Sequence, residues 1–345
     1  MSIEESGPFS HPSRVSLIST YFGDRRVSPA EAWKDVYRLL LWADPTTGLA
    51  HCYESDKSQP GRPWYARTLA FHAWVAREFG VANDELADEL DWMFRQVIRR
   101  VADLAERATR APRGEQQRAP YSETMPVPGE DPELRQLIEP LLPPPGPTRP
   151  SDEVVRDVLH RVRAHIGSEN KRKNLLGRGF EDVIAAVIQR TDGAPEVIGT
   201  QTPVEEVDGF RSPRSGDKTE KVDLWVRGYD GSRTIATAKW SVRADREKQM
   251  RNDFLTYVSL NELREPFRYV WITNEFDAAR LVANATNAEA NQLMFDSVVH
   301  VCPWALSVVH ELDRAALPRT PARLKELLES GRITGLADWL TALSA

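Results

Sequence analysis

Residues 221–242 constrain the fold of this chain more than any other stretch, because they contain two strand-like runs separated by a turn. In the first run, 221–226, apolar residues alternate with polar ones, so that Asp223 lies on the face opposite the valines and the leucine. Residues 229–232 (YDGS) have turn chemistry, and the β-branched run 234–242 follows at hairpin distance. The pattern predicts two antiparallel strands.

The second run contains a lysine where strand-forming residues are otherwise found. Lys239 lies on the same face as Thr237, and a lone lysine inside a strand needs a chemical reason. Hydrolysis of a phosphodiester supplies one, because it requires a divalent metal to polarise the phosphate and a base or cation to hold the attacking water. Mg²⁺ binds through one or two carboxylates together with water and phosphate oxygens. Asp223 and Lys239 therefore predict a metal-dependent nuclease site.

A helix predicted after the second strand offers another carboxylate. Residues 245–261 carry an apolar stripe at helical spacing, and Asp253 lies beside that stripe. A side chain at this position can reach back over the end of the sheet. Asp253 follows Lys239 by 14 residues, so the two are predicted to meet at one site.

Taken together, Asp223, Lys239 and Asp253, with the run 239–245 (KWSVRAD), resemble the type II restriction endonucleases of the PD-(D/E)xK superfamily. The spacing is most similar to the branch that reads CCGG and related CC/GG targets. In that branch a small residue replaces the acid two positions before the lysine, and the carboxylate is relocated to the next helix, as Thr237 and Asp253 would allow. The resemblance implies an α/β fold with a mixed-sheet nuclease core flanked by helices, and Mg²⁺-dependent cleavage of double-stranded DNA.

The same resemblance assigns base recognition to Arg243 and Asp245, which match an Arg-x-Asp pair that reads paired C and G bases. Arginine can donate to guanine O6 and N7, and aspartate can accept from cytosine N4, each contact contributing about 1–3 kcal/mol of discrimination. A palindromic CCGG or CCNGG target implies a homodimer or higher homo-oligomer with one active site per strand. The structural alternative is a strand end at Arg243 and a helix N-cap at Asp245.

Further metal ligands are predicted around these residues. The backbone carbonyl of Ala238 would assist Asp223 and Asp253 in binding Mg²⁺. Nucleases of this superfamily often carry a glutamate on the helix before the sheet, which makes Glu181 a candidate; a first-turn glutamate favoured by the helix dipole is the alternative. Glu247 competes with Asp253 and Glu181 as the second acid. Each acid alone also fits a solvated position, and the joint spacing favours the site.

The net charge of −6 argues against a DNA-binding protein, but basic residues cluster locally. Lys171, Lys173 and Arg178 lie close together in the sequence, and Arg211 and Arg214 lie in the loop before the first site strand. Local patches decide phosphate contact more than total charge does. These five residues are predicted to contact the DNA backbone.

At 345 residues the chain exceeds the usual size of one domain. We predict an all-helical N-terminal domain, 1–112, for dimerisation or DNA contact. Residues 113–150 form a proline-rich linker or arm, and 151–345 form the endonuclease domain.

Hydrophobic periodicity predicts the remaining elements of the chain. A strand ending before Asn274 and Glu275 makes this pair a candidate for contact with DNA. The other predicted elements are helices over 83–109, 151–166, from Leu176 onward, over 277–293 and as a pair within 320–345, with strands over 197–200, 267–273 and 297–302.

Several classes of protein are disfavoured, because the sequence lacks the motifs or segments that they require. Cys52 and Cys302 lie far apart without metal-ligand spacing, which argues against a disulfide framework and a zinc site. No nucleotide-binding motif is present, so no nucleotide cofactor is expected. With neither a membrane-spanning run nor a hydrophobic signal region, we expect a cytoplasmic protein without membrane contact.

Two other functions fit the same core. One is a modification-dependent or repair nuclease, in which the N-terminal domain senses a modified base. The other is a catalytically dead DNA-binding protein, in which Thr237 marks a lost acid. Cleavage of unmodified plasmid, cleavage of methylated DNA alone, and binding without cleavage distinguish the three.

Overall fold

A computed structural model describes residues 7–41, 61–110, 132–193, 195–212, 220–228, 231–242, 244–262, 266–289 and 292–344. Their contacts form two compact units: Met1–Arg99 together with Leu176–Ala345, and Arg100–Leu175. The N-terminal helices thus belong to the same unit as the sheet, a grouping different from the predicted segments 1–112, 113–150 and 151–345. As a division of function, those segments stay a prediction.

The first unit is built around a mixed sheet of six strands. They are β1 (Glu196–Pro203), β2 (Lys221–Arg227), β3 (Arg233–Lys239), β4 (Phe267–Thr273), β7 (Ser297–His300) and β8 (Ile333–Gly335), while β5 (Ala288–Glu289) and β6 (Gln292–Leu293) pair separately. The strand order is β1-β2-β3-β4-β7-β8. β1, β2 and β3 are antiparallel neighbours, and β3, β4, β7 and β8 run parallel. The predicted mixed α/β fold and the antiparallel pairing of the two site strands are confirmed.

Apolar side chains explain why the sheet lies in the core. The valines and the leucine of β2 are buried and Asp223 is only partly buried, which is the predicted alternation. Trp225, on the other face of β2, is also buried, so both faces are covered at this point. Residues 269–273 of β4 are all buried, as expected for a parallel strand packed on both faces.

The helices in chain order are α1 (His11–Phe22), α2 (Ala32–Leu40), α3 (Pro63–Phe79), α4 (Leu86–Glu89), α5 (Trp92–Arg110), α6 (Pro132–Ile138), α7 (Asp152–Arg190), α8 (Ala244–Leu260), α9 (Ala278–Thr286), α10 (Pro303–His310), α11 (Arg319–Glu329) and α12 (Leu336–Leu343). The N-terminal helices contact the residues that follow β4. Tyr37 Oη of α2 donates to Asn274 Oδ1 at 2.9 Å, and the Phe71 ring of α3 packs on Phe276 with centroids 5.1 Å apart. These contacts tie the N-terminal helices to the sheet.

A single helix, α7, replaces the two helices predicted over 151–166 and from Leu176 onward. Glycine lowers helix propensity, but Gly179 lies inside the helix, where its missing side chain permits close packing. A Cβ at Gly179 would lie 3.4 Å from Met93 Sδ and 3.5 Å from Leu40 Cδ2. The missing side chain at Gly179 therefore allows α2 and α5 to pack closely against α7.

Three other predicted elements have different bounds. The helix over 83–109 is divided into α4 and α5 at Asp91, whose backbone is left-handed with φ +62. The helix over 277–293 ends at Thr286, because Asn287 is extended and the β5–β6 pair follows. The helical pair within 320–345 is separated by a strand, β8, which the sequence pattern did not reveal.

Asn274 and Glu275 are buried, so the prediction that they contact DNA is wrong. They follow β4, which is an interior strand between β3 and β7, and their exposed fractions are 1% and 0%. Glu275 Oε2 instead accepts a hydrogen bond from the Val242 backbone N–H at 2.9 Å. Their polar groups serve the interior of the protein.

The second unit contains α6, which lies within the segment predicted as a linker. Arg135 Nη2 of α6 contacts Asp152 Oδ1, in the first turn of α7, at 2.8 Å. Residues 113–131 of the predicted arm lie outside the described residues, as does Cys52, whereas Cys302 is buried. Over the ranges that the structure covers, no helix combines the length and the apolar character needed to cross a membrane.

Candidate active site

Asp223 on β2 lies beside the last residues of β3. Its Oδ2 accepts hydrogen bonds from Thr237 Oγ1 at 2.9 Å and from the Ala238 backbone N–H at 3.2 Å. Lys239 Nζ lies 2.6 Å from the same oxygen. The strand pair thus brings together the acid and the lysine that the sequence singles out. Ala238, predicted to offer its carbonyl to a metal, contacts this acid through its N–H.

Glu181 of α7 joins this pair from outside the hairpin. Its neighbour Phe180 is fully buried and packs edge-to-face on Trp240, with ring centroids 5.3 Å apart. Because Trp240 follows Lys239, this contact sets Glu181 beside the lysine, with Oε1 3.5 Å from Nζ. The Glu181 and Asp223 side chains are 7% and 12% exposed. Two carboxylates and one ammonium group therefore converge in a partly enclosed site.

Gln201 is the site residue that reasoning from the sequence missed. It lies in β1 between Thr200 and Thr202, which pair with Leu224 and Val222 of β2. Its Nε2 donates to Glu181 Oε2 at 2.6 Å and to Asp223 Oδ1 at 3.1 Å. A polar residue just beyond the predicted strand 197–200 was the available signal, but the pairing that brings Gln201 to Asp223 is not encoded in that short run alone.

The charged groups of the site shift one another's pKa values. Burial and the neighbouring Asp223 carboxylate raise the pKa of Glu181 from 4.5 to about 8. Burial lowers the pKa of Lys239, but the charges of Asp223 and Glu181 outweigh this effect, so its pKa lies above the ordinary value. Lys239 is therefore an ammonium cation at neutral pH, and its charge in turn favours the carboxylate form of Glu181.

Asp253 of α8 approaches the same region. Burial, followed by the charges of Asp253 and Asp223, raises the pKa of Tyr257, and both carboxylates also contribute to the raised pKa of Tyr269. Within the described part of the chain, however, no three acidic, imidazole or thiol groups gather as a metal-binding cluster. The structure thus groups Asp223 with Glu181 and not with Asp253 as well. A metal-binding role for Asp253 stays a prediction.

The other residues of α8 and its start have different surroundings. Glu247 Oε1 accepts from Asn284 Nδ2 of α9 at 3.4 Å, which turns its carboxylate toward that helix. Asp245 lies inside the first turn of α8 rather than at the N-cap, because the helix begins at Ala244; its side chain is outside the described set. Arg243 lies outside the described residues. The base-recognition roles therefore stay predictions.

The residues predicted to contact the DNA backbone are only partly described. Lys171, Arg178 and Arg211 are exposed. Arg211 Nη2 also donates to the Ser259 carbonyl of α8 at 3.1 Å. Arg214 and the side chain of Lys173 lie outside the described residues. Their contacts with phosphate stay predictions.

Known proteins offer a distant structural likeness. No protein-family model and no curated protein matches the chain. The structure is similar to a solved structure described as metal-depleted Ecl18kI in complex with uncleaved, modified DNA. The match has 12% sequence identity and a TM-score of 0.33, and it covers 97% of this chain and 83% of that chain. The site geometry, rather than this likeness, carries the proposal below.

The donor atoms of the site fit a divalent cation of the Mg²⁺ type. Lys239, Thr237 and the Ala238 N–H all bond to Oδ2 of Asp223, so Oδ1 and the two Glu181 oxygens keep lone pairs within the described network. Mg²⁺ commonly binds through one or two carboxylates and retains several waters. Glu181 and Asp223 are therefore the two residues whose described geometry fits a metal ion.

Proposed function

We propose that this protein is a Mg²⁺-dependent type II restriction endonuclease that makes site-specific double-strand cuts in DNA. The observation that carries the proposal is the convergence of Glu181, Asp223 and Lys239, with the ammonium nitrogen within 3.5 Å of both carboxylates. Two acids and a lysine form the set that the resemblance to the PD-(D/E)xK superfamily implies. Here the second carboxylate near Asp223 comes from α7, which offsets the loss of an acid at Thr237.

Each side chain then has a defined task. Glu181 and Asp223 would hold the metal ion, which would supply polarisation of the scissile phosphate and favour ionisation of water. Lys239, charged at neutral pH, orients the attacking water and stabilises the negative charge that develops on the phosphate oxygens. Water attacks phosphorus, the 3′ oxygen leaves with a proton, and the products carry a 5′ phosphate and a 3′ hydroxyl. Asp253 is proposed as a further acid at the edge of this site.

Specificity is proposed for the segment that follows Lys239. Arg243 and Asp245 would read the C and G bases of a palindrome with a CC/GG core, of CCGG or CCNGG type. Cutting both strands of such a palindrome requires two copies of the site, so the active form is proposed to be a homodimer or higher homo-oligomer. We propose that the protein acts in the cytoplasm.

Incubation of the purified protein with unmodified plasmid and Mg²⁺ tests the proposal. We expect discrete fragments with 5′ phosphates, whose sequenced ends define the recognition site and the cut position. EDTA and the Asp223→Asn variant serve as matched controls that should prevent cutting. Cleavage of methylated plasmid alone would indicate a modification-dependent nuclease, and binding without any cleavage would indicate a DNA-binding protein without activity.

A further inference from the structure

We propose that Gln201 is a positioning residue that holds Glu181 and Asp223 together in the metal-free protein and gives way to the divalent cation when it binds. This inference rests on the proposed function, because it concerns the metal of the same site. Gln201 Nε2 lies between Glu181 Oε2 and Asp223 Oδ1, at 2.6 and 3.1 Å. It occupies the place from which a cation would contact both acids.

The chemistry of the two partners settles which end of the amide lies there. Both partners are carboxylates, which accept hydrogen bonds, so the NH₂ end of Gln201 must face them and the carbonyl end must face away. An NH₂ group has two donors, one for each acid. It thereby offsets part of the repulsion between two carboxylates that are brought together in a partly buried site.

The backbone of β1 is adapted to this placement. Gln201 has φ +51, a left-handed conformation that residues with a side chain rarely adopt and that is uncommon within a strand. The pairing of β1 with β2 shifts register between Val197 and Gly199. A Cβ at Gly199 would overlap Thr202 Oγ1, so this turn of the strand is tightly packed. Glycine or asparagine would adopt the backbone of position 201 more readily than glutamine does.

Glutamine has a long side chain, although the backbone at position 201 favours a smaller residue. This mismatch indicates that the amide side chain has a functional role. The task is preorganisation: carboxylates already held close lose less freedom when a cation joins them. Gln201 then withdraws its NH₂ group as the cation takes over the same oxygens. A residue that orients metal ligands typically changes metal affinity by about 10–100-fold when it is substituted.

Two substitutions separate the side chain from the backbone at this position, and a third elsewhere serves as a control. Gln201→Gly relaxes the backbone and removes the amide. Gln201→Glu keeps the length and replaces the NH₂ donor by a carboxylate oxygen. Gln189→Ala, at an exposed position of α7, is the matched control. Mn²⁺ affinity is measured on the DNA-free protein by electron paramagnetic resonance of free Mn²⁺, and melting temperature is measured in EDTA and in Mn²⁺.

We expect Gln201→Gly to bind Mn²⁺ about tenfold more weakly than the wild type while melting in EDTA at the same or a higher temperature. Gln201→Glu should melt at a lower temperature than the wild type in EDTA, since three carboxylates repel one another until a cation joins them. Its Mn²⁺ affinity should not show the loss expected for Gln201→Gly. Gln189→Ala should match the wild type in both measurements.

Three results would overturn the inference in distinguishable ways. Wild-type Mn²⁺ affinity in Gln201→Gly, with binding lost in Asp223→Asn, removes the role of Gln201 and leaves the proposed nuclease intact. Equal Mn²⁺ binding by the wild type and Asp223→Asn removes the metal site itself, and with it both proposals. A fall in melting temperature without any change in affinity also contradicts the inference, because it assigns Gln201 to stability alone.

Discussion

Two polar clusters lie at the sheet, and their hydrogen-bond partners differ in kind. The first, the site cluster, consists of Glu181, Asp223, Lys239 and Gln201, whose polar side chains largely bond to one another. The second, which we call the strand-end cluster, consists of Glu275, two residues after β4, and His300, the last residue of the parallel strand β7. Its members bond mainly to backbone groups.

In the strand-end cluster, backbone groups form the hydrogen bonds of the polar side-chain atoms. Glu275 Oε2 accepts from the Val242 N–H at 2.9 Å and Oε1 from the Asp277 N–H at 2.8 Å. His300 Nδ1 accepts from the Cys302 N–H at 3.1 Å, so its Nε2 carries the proton that is donated to the Glu275 carbonyl at 3.0 Å. These bonds hold loops in place, since a backbone donor cannot leave without moving the chain.

The site cluster is built from partners that can be exchanged. A side-chain amide or ammonium group can rotate away and leave its carboxylate to a ligand, which a backbone N–H cannot do. The comparison teaches that burial of charge alone does not mark a functional site. In the proposed site, the two carboxylates bond largely to side chains that can move. The four predictions below test this difference, beginning with the largest effect.

Glu275→Ala should lower the free energy of unfolding by about 3–5 kcal/mol, because it leaves two buried N–H groups without their acceptor and Arg280 without its nearby carboxylate. Chemical denaturation measures the change. Glu326→Ala, which removes an exposed pair with Arg323, is the control and should change stability by about 0.5 kcal/mol or less. A small effect at Glu275 would erase the distinction between the clusters.

Lys239→Met should reduce the rate of plasmid cleavage by about 10²–10³-fold, as expected when a group that stabilises transition-state charge is removed. Circular dichroism should show that the variant stays folded, and gel shift should show that it still binds DNA. Lys34→Met, which removes an ammonium group paired with Glu31 on the N-terminal helices, should cleave at the wild-type rate. Normal cleavage by Lys239→Met would falsify the assignment of the lysine.

His300 should make the protein less stable in acid. Burial lowers its pKa from 6.5 in the unfolded chain to about 4 in the fold, so the unfolded state binds the proton first as the pH falls. The free energy of unfolding should decline between about pH 6.5 and pH 4, by about 3 kcal/mol. Comparing His300→Gln with the wild type at each pH isolates this contribution. If the two curves are parallel, the imidazole does not titrate as described.

Glu181 should make the free energy of unfolding depend on pH in the opposite direction. Its pKa is raised from 4.5 to about 8, so the fold favours the protonated acid and loses stability as the pH rises through this window. In EDTA at pH 7, Glu181→Gln should therefore be more stable than the wild type by about 3 kcal/mol. Mg²⁺ should stabilise the wild type and not the variant. A variant less stable than the wild type in EDTA would contradict the site geometry.

Sequence periodicity predicted much of the local structure but not every boundary. The alternation in 221–226 predicted β2 and the side of the strand that carries Asp223, and the apolar stripe of 245–261 predicted α8. The break expected between 166 and Leu176 does not exist, because α7 runs without interruption from Asp152 to Arg190. Local pattern predicts an element, and packing determines where it ends.

The acid and the lysine of the site were determined by the sequence alone, because Asp223 and Lys239 lie on adjacent strands of one hairpin whose register follows from a short turn. Only the tertiary structure decided which other side chains join them. The packing of Phe180 on Trp240 brings Glu181 to the site, and the pairing of β1 with β2 brings Gln201 there. Periodicity is a property of one element, whereas convergence depends on which distant element packs against it.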